Sequence, residues 1–270
     1  MLKYSVITSV YKNIKTIDLI NSLNSIKNQI LKPSELVVII DGYCHPKNLI
    51  IIRNFLNKNF KNKHKISFNL KNKGIPYSYN KAISLTKYNF VGISDADDVS
   101  DKHRFYKQIK YLINKPKIAI LGSFVKEIGE KKIFIKKVPV ENSKIYLTSI
   151  FKNPINHPTV VFNKKLFKKL KYEDCSRMED YFLWLRAMSK GLKFSNLPET
   201  LVKSRVNNDF LKRRSGIQLV FSEFKIQSYI LKKNYFLFTL VIPLFVLKSF
   251  YHLIFFKLKD QIRRFINNII

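Results

Sequence analysis

The sequence predicts an α/β fold: a mainly parallel, Rossmann-like sheet with helices on both faces, followed by a helical C-terminal appendage. Two observations carry the sheet. Short β-branched runs alternate with helix-period segments from Tyr4 to Ile93, and acids, asparagines and glycines gather just after those runs. The appendage follows from a change of character in the last stretch of chain, which becomes apolar and then basic.

Tyr4 to Val10 reads as the first strand, Thr16 to Gln29 as a helix, Glu35 to Ile40 as the second strand and Lys47 to Asn59 as its helix. Lys65 to Leu70, Tyr77 to Leu85 and Phe90 to Ile93 continue as strand, helix, strand. Strands alternating with helices imply βαβ units and a parallel sheet covered on both sides. Ligands of such sheets bind beyond the carboxyl ends of the strands, so the residues after each strand are the candidates for chemistry. A helix is expected from Asp101 to Ile113, stopped by Pro116, then a strand-rich stretch from Ile118 to Val138. Met178 to Ser189 reads as a helix with Gly191 suited to its C-terminal cap. Nothing up to residue 215 suggests a break, which divides the chain into residues 1–215 and a tail of 216–270.

In the tail, Tyr235 to Leu247 is apolar except for Pro243, and after Lys248 the run resumes from Ser249 to Phe256, followed by Lys257, Lys259, Arg263 and Arg264. A membrane span needs about 20 apolar residues, a length this run only just reaches. An interfacial anchor, a span and a packed hairpin all fit. The basic residues beside it favour an anionic cytoplasmic leaflet, so peripheral attachment to the inner face of the cell membrane is expected.

Composition narrows the partners without choosing one. The 270 residues include 22 Phe and 14 Tyr, which excludes a disordered chain. Fifty Lys and Arg against 18 Asp and Glu give a formal charge of +32, a field that suits nucleic acid, an anionic membrane or phosphorylated substrates. Cys44 and Cys175 match no zinc or disulfide spacing, and the N-terminus enters strand-like sequence without a signal-peptide pattern. Both point to a reducing, cytoplasmic setting.

The strongest chemical signal is Asp95-Ala96-Asp97-Asp98, three carboxylates directly after an apolar strand in an acid-poor chain. Carboxylate oxygens suit a hard divalent cation, Mn2+ or Mg2+, which neutralises a diphosphate leaving group. Asp41-Gly42 closes the second strand, either as a plain turn or as an acid able to accept from a nucleobase imide. Ser9 and Tyr11 follow the first strand, where Tyr11 can stack on a base. Asn72, Gly74 and Asn80 follow the third and open a helix whose amides suit an anion. Glu179 and Asp180 start a helix that continues through Trp184, as dipole partners or as a catalytic pair. His157 stands in Asn156-His157-Pro158-Thr159, and Arg205, Arg213 and Arg214 come late.

In this order the motifs resemble the family-two inverting glycosyltransferases with the GT-A fold, over roughly residues 4–215. Asp41-Gly42, Asn153-Pro154-Ile155-Asn156-His157, Arg205 to Asp209 and Arg213-Arg214 most resemble bacterial exopolysaccharide and capsule enzymes of the amylovoran-biosynthesis type. The resemblance implies a nucleotide-sugar donor, a UDP-sugar foremost, and a glycan or lipid-linked glycan acceptor. It implies Asp97 as the metal ligand, Asp180 as the general base and Glu179 as its acceptor-orienting neighbour, with His157 and Trp184 on the acceptor side. Ser9, Tyr11, Asp41, Asn72, Gly74, Asn80, Asp95, Ala96, Arg205, Arg213 and Arg214 fall to the donor.

The chain departs from many relatives in having Ile40 before Asp41, Tyr43-Cys44 after Gly42 and Asn207 where a His is common. These leave base recognition and one phosphate or metal contact open. Of the alternatives, a sugar-nucleotide nucleotidylyltransferase should have a glycine-rich loop at Ser9 to Asn13, which contains no glycine. A nucleic-acid-binding protein fits the charge but not the strand-end acids, so no nucleic-acid partner is expected. A non-catalytic lipid-bound scaffold is the third alternative.

Overall fold

Four parallel strands form the first half of the sheet, the first three each followed by a helix: β1 (Tyr4–Tyr11), α1 (Thr16–Lys27), β2 (Glu35–Asp41), α2 (Pro46–Asn59), β3 (His64–Asn69), α3 (Gly74–Leu85) and β4 (Phe90–Ile93). The pleat sends alternate side chains to opposite faces. Leu36, Val38 and Ile40 of β2 therefore join α1, α2 and Phe105, Ile109 and Leu112 in one core, while Val37 and Ile39 join Tyr79 and Ala82 of α3 in the other. Both faces are covered, as the alternation of elements predicts. The computed structural model describes residues 2–129, 133–167, 170–206, 216–233, 243 and 245–250.

The second half is less regular. It comprises β5 (Val99–Ser100), α4 (Arg104–Asn114), β6 (Ile118–Gly129), β7 (Ile133–Lys136), α5 (Asn142–Phe151), a 3-10 turn at His157–Thr159, β8 (Val161–Asn163), α6 (Lys164–Phe167), α7 (Glu179–Met188) and β9 (Lys193–Val206). The sheet order is β3-β2-β1-β4-β8-β6-β9-β5, with β7 paired to β6. β8 runs antiparallel to both β4 and β6, so the sheet is parallel in its first half and mixed in its second. The short Val161–Asn163 strand offers too little sequence for periodicity to reveal it.

The appendage opens with α8 (Ile217–Lys233). Its Ile226 and Ile230 pack with Tyr181, Phe182 and Leu185 of α7, and Ser222 Oγ donates to Ser176 O at 3.1 Å. Among the described residues no helix is long and apolar enough to cross a membrane. All of the apolar run except residues 243 and 245–250, and the basic cluster from Lys257 to Arg264, lies outside the described residues.

Candidate active site

The parallel half brings the ends of β1, β2 and β4 to one edge, because each strand returns in the same direction through a helix. At the end of β2, Asp41 is buried, and its carboxylate accepts from the backbone N–H of Lys73 at 2.9 Å and of Gly74 at 3.0 Å. Asn69 Nδ2 donates to it as well, at 2.9 Å. These backbone donors open α3 and have no partner within the helix. Asp41 thus caps α3 and locks the β3–α3 loop in place, a structural duty beyond the base contact expected of it. Gly42 turns at φ +80°, and a Cβ there would meet Asn72 N at 2.6 Å. Only glycine lets the two loops come this close. Asn72 is exposed and accepts from Gly74 N–H at 3.1 Å. Ser9 is half-buried near the end of β1.

Three acids follow β4. Asp95 accepts a short hydrogen bond from the buried Tyr79 hydroxyl, and its carbonyl accepts from Ser22 Oγ at 2.8 Å. Ala96 is buried, so it offers a ligand only its backbone. Asp97 is half-exposed, with the Tyr11 hydroxyl 3.5 Å from its Oδ2. Asp98 is buried, and burial together with the charges of Asp95 and Asp97 holds its carboxyl well above the usual range, against hydrogen bonding from Ser204 and the charge of Arg104.

Arg104 was not visible in the sequence reading. It is fully buried beneath this turn, donating to Ile93 O at 2.8 Å, Ser100 Oγ at 2.9 Å and Gln108 Oε1 at 3.1 Å. Burial lowers its pKa to about 10, while Asp95 and Asp98 pull it upward. It stays charged at neutral pH and is the internal counter-ion of the acidic turn. The only sequence signal is its place on the buried stripe of α4, where an arginine is out of character.

The second half contributes from the far side. Arg177 turns the chain at φ 69°, rare for a non-glycine residue, and α7 then begins with Glu179 and Asp180. Asn153 Nδ2 donates to Asp180 Oδ2 at 2.7 Å. Burial raises the Glu179 carboxyl, opposed by backbone N–H groups and by His157. His157 Nε2 lies 3.0 Å from the hydroxyl of buried Tyr172. The His157 ring also meets Tyr79 edge-on, with centroids 5.3 Å apart.

Tyr172, which sequence reasoning missed, joins the two acid groups. Burial first, then the charges of Asp180, Asp95 and Glu179, push its phenol well upward, so it remains protonated. Its backbone is clamped by Asn80, whose amide donates to Tyr172 O and accepts from Tyr172 N–H, both at 2.8 Å. With both ends of its amide so engaged, Asn80 acts on the site through Tyr172 and is not placed as a direct donor contact.

One further expectation is corrected. Trp184 is 0% exposed and packs behind His157 and Phe162. Its burial closes it to an acceptor, and it backs the site instead of lining it. Arg205 pairs with Asp18 of α1 at 2.7 Å, beside Ser204 and the acidic turn, and its side chain stays 48% exposed. Arg213, Arg214 and Asn207 lie outside the described residues.

A divalent cation suits this donor set. Among the described residues no three His, Cys, Asp or Glu side chains are grouped to hold a metal. Mg2+-type ions, however, ordinarily take one or two carboxylates, with substrate phosphates and water completing the shell. The half-exposed Asp97 fits that pattern.

Residues 5–175 match the family model described as glycosyl transferase family 2. The chain belongs to that family. It is a glycosyltransferase enzyme, and its sheet is the GT-A type. It is 34% identical over 232 residues to the amylovoran biosynthesis glycosyltransferase AmsE of Erwinia amylovora, with 85% of each chain covered. Over 242 residues it is 31% identical to the UDP-Gal:alpha-D-GlcNAc-diphosphoundecaprenol beta-1,3-galactosyltransferase of Escherichia coli, covering 86% of this glycosyltransferase and 85% of that one. Among solved structures, S. aureus TarS residues 1–349 in complex with UDP matches with a TM-score of 0.63 at 22% identity, over 85% of this chain and 65% of TarS. The Pyrobaculum calidifontis mannosyltransferase PcManGT in complex with GDP-Man and Mn2+ matches with a TM-score of 0.62 at 15% identity, over 83% of this chain and 63% of that one. These two likenesses speak for the fold.

Proposed function

We propose that this glycosyltransferase moves a sugar from a UDP-sugar to a hydroxyl of a lipid-linked oligosaccharide, in the synthesis of a cell-surface polysaccharide such as capsule, exopolysaccharide or O-antigen. The reaction is a single displacement with inversion. The observation that carries the reading is the convergence of two acid groups, Asp95-Asp97-Asp98 and Glu179-Asp180, on one cluster of Tyr79, His157 and Tyr172. In-line displacement needs a base on the acceptor side and charge neutralisation on the leaving-group side. The relatives named for amylovoran and for a diphosphoundecaprenol acceptor support the polymer and the lipid carrier.

In this reading Asp180 accepts the acceptor's proton at Oδ1 as that oxygen attacks the anomeric carbon, while Asn153 holds Oδ2 and sets the direction of the carboxylate. Glu179 and His157 orient the acceptor. Tyr11 and the Asn72–Gly74 loop flank the nucleotide, and Asp95, steadied by Tyr79, meets the ribose or donor sugar. Mn2+ or Mg2+, when bound, neutralises the diphosphate, and Asp97 would hold it. Residues 1–215 form the catalytic unit, and residues 216–270 attach it to the inner face of the cell membrane.

Two variants test this. Asp180→Asn should lower transfer by about 10²- to 10⁴-fold, with donor affinity by calorimetry nearly unchanged. Asp97→Asn should abolish metal-dependent binding of a UDP-sugar. Wild-type transfer by Asp180→Asn removes the base assignment, and undiminished Mn2+-dependent donor binding by Asp97→Asn removes the metal ligand.

A further inference from the structure

The loops that frame the donor side share a surface pattern that catalysis does not explain. Ile17, Tyr43, Ile50, Leu70, Ile75 and Tyr77 are large, apolar or aromatic, and exposed, Leu70 completely so. All six lie just after a parallel strand or in the first half of the helix that follows it, and so at the edge of the sheet where the site opens. The three loops are laced together. Thr16 Oγ1 donates to Asn48 Oδ1 at 2.7 Å, Asn48 Nδ2 donates to Ile14 O at 3.3 Å, and Gly42 abuts Asn72. The apolar side chains therefore belong to one rim.

Charge on this rim has a single sign. Lys12, Lys15, Lys47, Lys71 and Lys73 are exposed on the same loops, and residues 12–17, 43–50 and 70–77 contain no Asp or Glu. The acids next to these segments in the sequence, Asp18 and Asp41, are buried and engaged with Arg205 and with the start of α3, and half-exposed Asp97 lies inside the rim, at the site itself beside Tyr11. A purely anion-binding surface needs the lysines but not the leucine, isoleucines and tyrosines between them. Apolar side chains interleaved with cations are what an anionic bilayer surface selects, because the former enter the acyl boundary while the latter meet the head groups.

We infer that this rim is a membrane-docking surface, which sets the mouth of the site directly against an anionic leaflet independently of the C-terminal tail. It deepens the proposed reading of a lipid-linked acceptor, since docking here keeps the acceptor's carrier within reach of Asp180.

The chain's single tryptophan, Trp184, is fully buried, which permits a local reporter in the full-length protein. Leu70→Trp should be quenched by brominated lipid in vesicles of equal phosphatidylglycerol and phosphatidylcholine, and Lys61→Trp, at the opposite edge of the sheet, should not. Leu70→Ser with Tyr77→Ser should weaken partitioning by about tenfold or more, and Lys47→Gln with Lys71→Gln by about tenfold at low salt. Sedimenting protein whose Leu70→Trp fluorescence is not quenched overturns the inference and leaves the contact to the tail. Equal partitioning onto pure phosphatidylcholine, or binding of RNA but not vesicles, also overturns it. Transfer to a water-soluble acceptor, measured in parallel, separates this failure from failure of the proposed reaction: the rim variants should retain it.

Discussion

The two halves of the sheet build their shares of the site by different means. In the parallel half, topology alone delivers Tyr11, Asp41 and Asp95 to one edge, and neighbouring loops satisfy their polar groups, as when Lys73 and Gly74 donate to Asp41. In the mixed half, the functional residues are held mainly by side-chain ties that span long stretches of sequence. Asn153 holds Asp180 from 27 residues away, and Asn80 holds Tyr172 from 92 residues away. The difference teaches where the site is fragile: the donor side is held by many backbone contacts, the acceptor side by a few side chains.

Arg104 joins the halves and should give the largest effect on stability. Replacing it with Met removes the buried counter-ion of Asp95 and Asp98 and leaves carbonyl and hydroxyl partners unpaired. Breaking a buried pair from one side costs about 3–5 kcal/mol, to be read from denaturant unfolding. A loss below about 1 kcal/mol would mean that backbone contacts alone hold the acidic turn.

Asn80→Ala comes next and tests the comparison directly. It deletes two 2.8 Å hydrogen bonds to the Tyr172 backbone, worth about 1–3 kcal/mol once the peptide is left unsatisfied. Although Asn80 sits on α3 in the donor half, the defect should appear on the acceptor side, as slower transfer with unchanged donor affinity. A donor-affinity loss without a loss of kcat would restore Asn80 to the donor pocket.

Tyr172→Phe is the milder version. The ring and its packing against Tyr79 remain, and only the hydroxyl facing His157 Nε2 is lost. About 1 kcal/mol of stability should go, with slower transfer at unchanged donor affinity as His157 loses its phenol partner. An unchanged transfer rate would reduce Tyr172 to packing.

The same contrast decides what could be read from sequence. The βαβ order, the two-sided core and the strand-end acids were legible because each is local: an unbroken apolar run in the fully buried β2, a helix after each of β1, β2 and β3, carboxylates directly after β4. Arg104, Tyr172 and the antiparallel insertion of β8 were not, because they take their meaning from partners far along the chain. Trp184 misled for the same reason. An aromatic in the helix after the acid pair looks like an acceptor platform until its neighbours, Phe162 and Phe194, close over it.

Glu179 offers the smallest effect and a sign that can be checked. Its carboxyl is raised by burial, so the folded protein holds the proton more tightly than the unfolded chain does. Its contribution is therefore full below the unfolded value of about 4.3 and is lost as pH rises through the raised folded value. Glu179→Gln carries no such titration. Relative to wild type, the variant should gain stability as pH moves from acid to neutral, and the gap should then stay constant. Parallel stability curves across that window would show that His157 and the backbone N–H groups of Arg177 and Glu179 already offset the burial. In that case Glu179 is as well supported as Asp41, and the acceptor half is less dependent on single ties than its hydrogen bonds imply.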